Sequence, residues 1–147
     1  MQIIRATVEN LDELVILFDH YRQFYAQKSD LPHARQFLKE RMENQESVIF
    51  VAQANDELLG FTQLYPSFTS VGMARAWLLN DLFVAEESRG KGVATALIQK
   101  VISFSKESGR KKIFLATAYD NLQAQQLYEK IGFQKDPFFN YEYLVGG

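Results

Sequence analysis

The sequence predicts a mixed α/β fold built around one sheet. Strand-like and helix-like segments follow one another in the order β-α-α-β-β-β-α-β-α-β. Apolar residues make up 47% of the 147-residue chain, which is enough to bury a core in one globular domain. No linker, repeat or low-complexity segment interrupts this pattern, so residues 1–147 are predicted to form a single domain.

The N-terminal part of the chain is predicted to be a strand followed by two helices. Residues 2–6 form the strand. After a capping Asn10, the apolar residues between positions 11 and 25 recur at helical spacing. A second helix begins with Asp30 as its cap and Pro32 in its first turn, where proline is favoured.

Three strands are predicted for the centre of the chain. Residues 47–54 and 58–65 are rich in β-branched and aromatic residues and are predicted to be strands. The polar segment 55–57 is predicted to be the turn that joins them in a hairpin. Residues 66–72 are predicted to be a loop. The third strand covers residues 75–84.

The C-terminal part is predicted to alternate helices and strands. A glycine-containing loop opens a helix that ends at about Ser108, and residues 112–118 form a strand. The next helix covers residues 121–131 and ends at Gly132, a residue favoured just after a helix. Residues 141–145 are predicted to be the last strand.

Composition excludes several classes of function. The chain has no cysteine, which rules out disulfides, thiol nucleophiles and cysteine-ligated metals. Its two histidines, His20 and His33, stand in no ligand-like grouping, so no metal site is predicted. A net charge of −2 gives no general attraction to nucleic acid or to an anionic membrane. With no signal-like N-terminus and no membrane-length apolar run, the expected location is the cytoplasm.

The loop Arg89-Gly90-Lys91-Gly92 lies between an apolar strand and a helix. Backbone amides at the start of a helix have no internal partner and, with two cationic side chains nearby, they make an anion site. The predicted ligand is a pyrophosphate. Neither common nucleotide-binding pattern fits, since no Gly-Lys-Ser/Thr occurs and Thr95 stands where the dinucleotide pattern needs Gly or Ala. The alternative is that Gly92 only caps the helix.

A second motif lies on the helix that begins near residue 121. Asn121, Ala124 and Tyr128 are spaced by three and four residues, so they share one side of the helix. Asn121 can pair with the amide groups of a ligand, the small Ala124 permits its close approach, and Tyr128 presents a phenol. The alternative for Tyr128 is packing in the core.

Together, the two motifs resemble those of the GNAT N-acetyltransferase superfamily, and the order of elements matches over essentially the whole chain. The acyl-CoA loop pattern of that superfamily, Gln/Arg-x-x-Gly-x-Gly/Ala, is met by Arg89, Gly92 and Ala94. Its later pattern, Asn-x-x-Ala-x-x-x-Tyr-x-x-x-Gly-Phe, is met by Asn121, Ala124, Tyr128, Gly132 and Phe133. The resemblance implies an N-acetyltransferase with acetyl-CoA as its cosubstrate and no metal.

The resemblance also implies where acetyl-CoA binds. The strands that end at Val84 and begin at Lys112 would separate at their C-terminal ends, helped by a bulge near Leu82–Phe83. The pantetheine arm would pair with the freed backbone, the pyrophosphate would lie on the loop amides, and Tyr128 would protonate the departing CoA thiolate. The predicted acetyl-CoA-binding residues are Leu82, Phe83, Val84, Arg89, Gly90, Lys91, Gly92, Val93, Ala94, Asn121, Ala124 and Tyr128.

Strand residues 79–84 are similar to a strand of diamine (polyamine) acetyltransferases, with Asn80 where that strand usually has Glu. A carboxylate inside an apolar strand is costly to bury without a partner, so Asp81 is the preferred base or amine-binding group. A structural hydrogen bond is the alternative. Aromatic side chains with the acids Asp19 and Asp81 would suit a cationic amine. The predicted acceptor-site residues are Tyr21, Tyr25, Tyr65, Trp77, Asn80 and Asp81.

The leading hypothesis is transfer of an acetyl group to the primary amine of a small molecule, such as a di- or polyamine, by direct attack in a ternary complex. One alternative is acetylation of a protein lysine or N-terminus. The other is a non-catalytic CoA-binding sensor, because Asn80 replaces the usual Glu. The aromatic-rich C-terminal segment suggests a homodimer.

Overall fold

A computed structural model describes residues 1–146 and leaves out only Gly147, the final residue of the predicted domain. The strands are β1 (Gln2–Arg5), β2 (Val48–Ala54), β3 (Glu57–Thr69), β4 (Ala74–Val84) and β5 (Lys112–Phe114). The helices are α1 (Leu11–Phe24), α2 (Leu31–Glu43), α3 (Val93–Glu107) and α4 (Leu122–Ile131). The predicted order of elements holds from the first strand to the last helix. The chain forms two compact units, Met1–Ala116 and the segment that begins at Thr117.

The five strands of the first unit form one mixed sheet in the order β1-β2-β3-β4-β5. Strands β1 to β4 are antiparallel neighbours, and β5 lies parallel to β4. The predicted hairpin joins β2 to β3. Its turn residues Asn55 and Asp56 have positive φ angles of 51° and 63°, as a tight hairpin turn requires. The predicted mixed α/β architecture is therefore confirmed.

Helices cover both faces of this sheet and bury two separate apolar cores. Because α1 repeats apolar residues every three or four positions, one side of it is buried against the sheet. The core under α1 and α2 includes Phe18, Phe61 and Phe83. The core under α3, on the opposite face, includes Trp77 and Leu79.

A β-bulge in β4 decides which side chains face which core. Gln63 pairs with Asp81, but the next pair along the strands is Leu64 with Leu79, so Asn80 is an extra residue on β4. An extra residue reverses the alternation of side chains between the two faces. Leu79 therefore faces the α3 core, whereas Asp81 turns to the face that carries α1 and α2.

The loop predicted for residues 66–72 is wrong for its first half, because β3 continues to Thr69. Pro66 lies inside this strand, although proline cannot donate a backbone hydrogen bond. The sheet accepts it because β2 has already ended: the last β2–β3 pair joins Val48 to Leu64. Beyond Leu64, β3 has only β4 beside it, so Pro66 occupies an edge position.

The second unit contains α4 and the C-terminal segment. The Oδ1 atom of Asn121 accepts a hydrogen bond from the Ala124 amide at 3.2 Å and caps the helix. Gly132 ends the helix with a φ angle of 125°, so both predicted ends are confirmed. The strand predicted for residues 141–145 is wrong. This segment forms no strand within the described residues and exposes its large side chains.

Gly60 lies where β3 and β4 approach too closely for a side chain. A Cβ atom added there would lie 2.7 Å from the carbonyl oxygen of Phe83 and 3.2 Å from the Cα atom of Val84. Because backbone would have to move, Gly60→Ala is expected to lower the free energy of unfolding by about 1–3 kcal/mol. Thermal denaturation should show a Tm lower by several degrees, and an unchanged Tm would contradict this close approach.

Candidate active site

The glycine loop between β4 and α3 has the conformation that an anion-binding loop needs. Gly90 and Gly92 have positive φ angles of 77° and 80°, and a Cβ atom on either would meet nothing within 4 Å. No side chain caps α3 at Gly92, its first flanking residue. Lys91 is exposed between the two glycines. An uncapped helix start beside a cation suits a phosphate group.

Strands β4 and β5 separate near this loop. β5 pairs with β4 only at Ala76–Leu78, whereas β4 continues to Val84. Among the described residues, 79–84 therefore have no strand partner on that side, as the splayed sheet requires. β5 ends at Phe114, although the sequence predicts a strand to residue 118. The opened edge contains the three predicted pantetheine contacts, Leu82, Phe83 and Val84.

Arg89 connects the loop to the end of β4. Its Nε atom donates a hydrogen bond to the Val84 carbonyl oxygen at 3.0 Å. Its guanidinium lies 5.5 Å from the centre of the Phe83 ring and 5.8 Å from that of Phe24, within cation–π distance of both. Arg89 thus covers the end of the strand, and phosphate binding by this residue stays a prediction.

The extra residue Asn80 places Asp81 beside α1. The resemblance implied a bulge near Leu82–Phe83, but the bulge lies at Asn80 instead. Asn80 itself is exposed, whereas Asp81 is only 4% exposed. A carboxylate in such a position needs hydrogen-bond donors.

Three side chains donate hydrogen bonds to the Asp81 carboxylate. The Gln63 Nε2 atom lies 2.6 Å from Oδ2, and the Asn80 Nδ2 atom lies 3.1 Å from Oδ1. The Tyr21 hydroxyl is the third donor. Burial outweighs these hydrogen bonds and raises the pKa of Asp81 above its ordinary value of 3.8. A buried carboxyl group with a raised pKa is a stronger base than usual.

Asp19 is also buried, but its carboxylate has a structural role. It accepts hydrogen bonds from Gln23 Nε2 at 2.8 Å, Ser29 Oγ at 2.7 Å and the Asp30 amide at 2.8 Å. Although burial acts in the opposite direction, these hydrogen bonds lower the pKa of Asp19. Asp19 therefore anchors the turn between α1 and α2, and the suggestion from sequence that it attracts an amine has no support in this arrangement.

Aromatic side chains surround Asp81 on the α1 face. Tyr21 packs edge-on against Tyr25 and Phe83, with ring centres 5.2 Å and 5.8 Å apart. Tyr21 is half-buried and Tyr25 is exposed. Burial and the nearby Asp81 charge raise the pKa of Tyr65 to about 12, which places Tyr65 in the same electrostatic environment. The structure thus brings together all the predicted acceptor-site residues except one.

That exception is Trp77. It is 3% exposed and belongs to the core under α3, on the face opposite to Asp81. Its ring stacks on Phe104 at 5.6 Å, and the Arg110 guanidinium lies 4.0 Å from its centre. Side chains alternate between the two faces of a strand, and the extra residue Asn80 reverses this alternation between Trp77 and Asp81. The two side chains therefore lie on opposite faces of the sheet.

Three predicted acetyl-CoA contacts lie on α4 or at its N-terminal cap, in the second unit. Asn121, Ala124 and Tyr128 follow helical spacing and share one side of this helix. Tyr128 is half-buried, with its ring centre 5.8 Å from that of Phe133. The side-chain oxygen of Asn121 caps the helix. The roles of these residues toward acetyl-CoA stay predictions.

Gln63 is a site residue that the sequence analysis missed. It is fully buried, and its Oε1 atom has no hydrogen-bond partner among the described residues. The available signal was a long polar side chain inside the otherwise apolar strand 58–65. Pairing it with Asp81 requires the register of β3 and β4, which the sequence alone does not supply.

Comparison with known proteins identifies the family. The sequence profile of the acetyltransferase (GNAT) family matches residues 14–133, most of the chain. The chain belongs to the GNAT family. The uncharacterized N-acetyltransferase YhfO of Bacillus subtilis is 44% identical to this GNAT chain over 139 residues, which cover 95% of this chain and 93% of YhfO. A probable acetyltransferase of Haemophilus influenzae is 30% identical over 138 residues, 93% of this chain and 92% of that protein.

A solved structure agrees with this assignment. The crystal structure of a probable acetyltransferase superposes on the GNAT chain with a TM-score of 0.95 and 44% identity, covering 100% of this chain and 99% of that one. The predicted fold class and the expected N-acetyltransferase are thereby confirmed. The finer resemblance to diamine acetyltransferases stays a prediction.

Two kinds of feature are absent from residues 1–146. No helix in this part of the GNAT chain is both long enough and apolar enough to cross a membrane. Within the same residues, no group of three or more His, Cys, Asp or Glu side chains could hold a metal ion.

Proposed function

We propose that this GNAT enzyme transfers an acetyl group from acetyl-CoA to the primary amine of a small molecule, with di- and polyamines as the favoured class, by direct attack in a ternary complex. The observation that carries the proposal is the Asp81 carboxylate, which is buried under aromatic side chains beside an opened strand edge. An amine must be neutral to attack, and a carboxylate of raised proton affinity can take its proton.

The described loop and strand edge fit the two ends of CoA. Backbone amides from Gly90 to Ala94, with the exposed Lys91, would hold the pyrophosphate. The unpaired backbone of residues 82–84 would bind the pantetheine arm as an added strand does. When bound, acetyl-CoA would supply the acyl group already activated as a thioester.

The acceptor side favours a slender cationic amine. Since Asp81 is 4% exposed, the acceptor would present its nitrogen on a narrow arm at the tyrosines of the α1 face. Aromatic ring faces near a carboxylate attract an ammonium group. A second nitrogen on the same molecule would lie toward solvent, where the exposed residues Asn80 and Tyr25 offer polar atoms.

A panel of amines tests the proposal. The purified chain is incubated with acetyl-CoA and a linear diamine, a triamine, a monoamine of equal length, an amino acid or a lysine-containing peptide. Thiol release and the mass of the product are measured. We expect turnover to be greatest with the diamine or triamine. Turnover confined to the peptide would favour a protein acetyltransferase, and CoA binding without turnover on any amine would overturn the proposal in favour of a sensor.

The loop assignment leads to a separate prediction for CoA binding. Gly92→Asp places a carboxylate and a Cβ atom where the pyrophosphate is expected, so the affinity for CoA should fall at least about tenfold, or 1.4 kcal/mol. Calorimetric titration with CoA measures this directly. Gly109→Asp is the matched control, because Gly109 has a similar φ angle of 71° at the other end of α3. Unchanged CoA affinity in folded Gly92→Asp would contradict the assignment.

A further inference from the structure

The burial of Asp81 restricts how a proton can reach it. The side chain is 4% exposed, and its two oxygens already accept hydrogen bonds from Gln63, Asn80 and Tyr21. An amine that stays outside this ring of donors cannot touch the carboxylate. A proton that such an amine loses can reach Asp81 through one of these three donors.

Two of these donors cannot pass a proton on. Gln63 is fully buried, so an incoming amine does not reach it. Asn80 is exposed, but it meets Asp81 through its amide nitrogen, which has no acceptor capacity. Tyr21 differs from both, because a hydroxyl oxygen accepts a hydrogen bond on one side while it donates on the other.

We propose that Tyr21 is a catalytic relay, whose hydroxyl oxygen takes the proton of the attacking amine while its own proton moves to Asp81. This proposal rests on the proposed function. The amine nitrogen forms its bond to the acetyl carbon and the bond from that carbon to sulfur breaks, so the sulfur leaves with the electron pair. The nitrogen proton goes to the Tyr21 oxygen, and Asp81 ends as a neutral carboxyl group. The reverse path returns that proton to solvent.

The surroundings of Tyr21 suit this role. Its ring is held edge-on by Phe61 at 5.6 Å, Phe83 at 5.8 Å and Tyr25 at 5.2 Å, which fixes the direction of the hydroxyl. Burial, with the Asp81 charge in addition, raises the pKa of Tyr21, so the phenol stays protonated until the proton is taken from its other side. Tyr21 is only half-buried, which leaves it in reach of the acceptor.

A double-mutant cycle tests the relay. Tyr21→Phe keeps the ring and removes the hydroxyl, and it is expected to lower kcat/KM for the amine by roughly 100-fold. In the Asp81→Asn background the same change is expected to have almost no further effect, because the relay has lost its destination. Tyr143→Phe, which removes an 88% exposed phenol, is the control and should leave kcat/KM unchanged. The relay would be overturned if the fold-losses of the two single variants multiplied in the double variant. It would also be overturned if Tyr21→Phe kept more than a third of the wild-type kcat/KM.

Two further measurements test the relay without relying only on the activity of the variants. Carbonyl ¹³C NMR follows the titration of Asp81. Because the Tyr21 hydrogen bond lowers the pKa of Asp81, Tyr21→Phe should raise it further, and an unmoved value would overturn the contact. In the wild-type enzyme, kcat/KM for a slow amine is measured across mixtures of H₂O and D₂O. Two protons moving in one step give a curved dependence, and a straight line would overturn the relay.

These outcomes separate the relay from the function on which it rests. If the wild-type enzyme acetylates no amine, the proposed function fails and the relay fails with it. If the wild type turns over a diamine but the effects of Tyr21→Phe and Asp81→Asn on kcat/KM are independent, only the relay fails.

Discussion

Asp81→Asn is expected to reduce kcat/KM for the amine by about 10²–10⁴-fold, the range typical of a lost general base. The side chain keeps its size, but an amide cannot take a proton from the Tyr21 hydroxyl. CoA affinity should stay nearly unchanged, because Asp81 lies on the α1 face and not on the glycine loop. Steady-state kinetics with the preferred amine, together with calorimetric titration of CoA, measure both quantities.

The same variant is expected to change how the stability of the chain depends on pH. Burial raises the pKa of Asp81 in the folded chain above its ordinary value of 3.8, so the folded state holds this proton more tightly than the unfolded state. The stability that protonation contributes is complete below pH 3.8 and is lost as the pH rises through the folded pKa. Asp81→Asn has no such titration. The Tm of the variant relative to the wild type should therefore rise from acid toward neutral pH.

Asp19→Asn is the matched control for both effects. Asp19 is a second buried carboxylate, but its pKa is lowered by hydrogen bonds that hold the turn after α1. Its stabilisation is present at neutral pH and is lost on acidification. Asp19→Asn should lower the Tm at neutral pH and leave kcat/KM per folded molecule unchanged. If Asp81→Asn instead behaves like this control, Asp81 is a structural residue.

Features that depend on short stretches of sequence were predictable. The hairpin turn at Asn55–Asp56, the cap at Asn121 and the helix end at Gly132 follow from the preferences of these residues for particular backbone angles and hydrogen bonds. The glycines at 90 and 92 adopt the left-handed conformation that an L side chain disfavours. Local chemistry of this kind is visible without knowledge of the neighbouring strands.

Features that depend on pairing were not predictable from the chain alone. The bulge at Asn80 exists because Leu64 pairs with Leu79 and not with Asn80, and no residue type marks this register. It separates Trp77 from the acceptor site and joins Gln63 to Asp81, which the sequence analysis did not foresee. The strand at 141–145 failed for the related reason that β-forming residues make a strand only beside a partner.

Tyr128→Phe is expected to lower kcat by about 10²–10⁴-fold, because the phenol is proposed as the acid that protonates the sulfur of departing CoA. Tyr128 lies on α4 one turn beyond Ala124, on the side of the helix that Asn121 also occupies. The substitution keeps the ring, so the 5.8 Å contact with Phe133 survives and packing changes little. KM for acetyl-CoA should move far less than kcat, since the interaction is made in the transition state.

The measurement has to show that the hydroxyl acts in the chemical step. Single-turnover kinetics with preformed acetyl-CoA complex isolate that step from product release. Tyr119→Phe removes a phenol that is 91% exposed and should leave the single-turnover rate unchanged. The Tyr128→Phe loss should also exceed any drop in Tm, because ring packing is retained. A change in kcat below threefold, with chemistry limiting, would assign Tyr128 to packing of α4 and leave protonation of the thiolate to water.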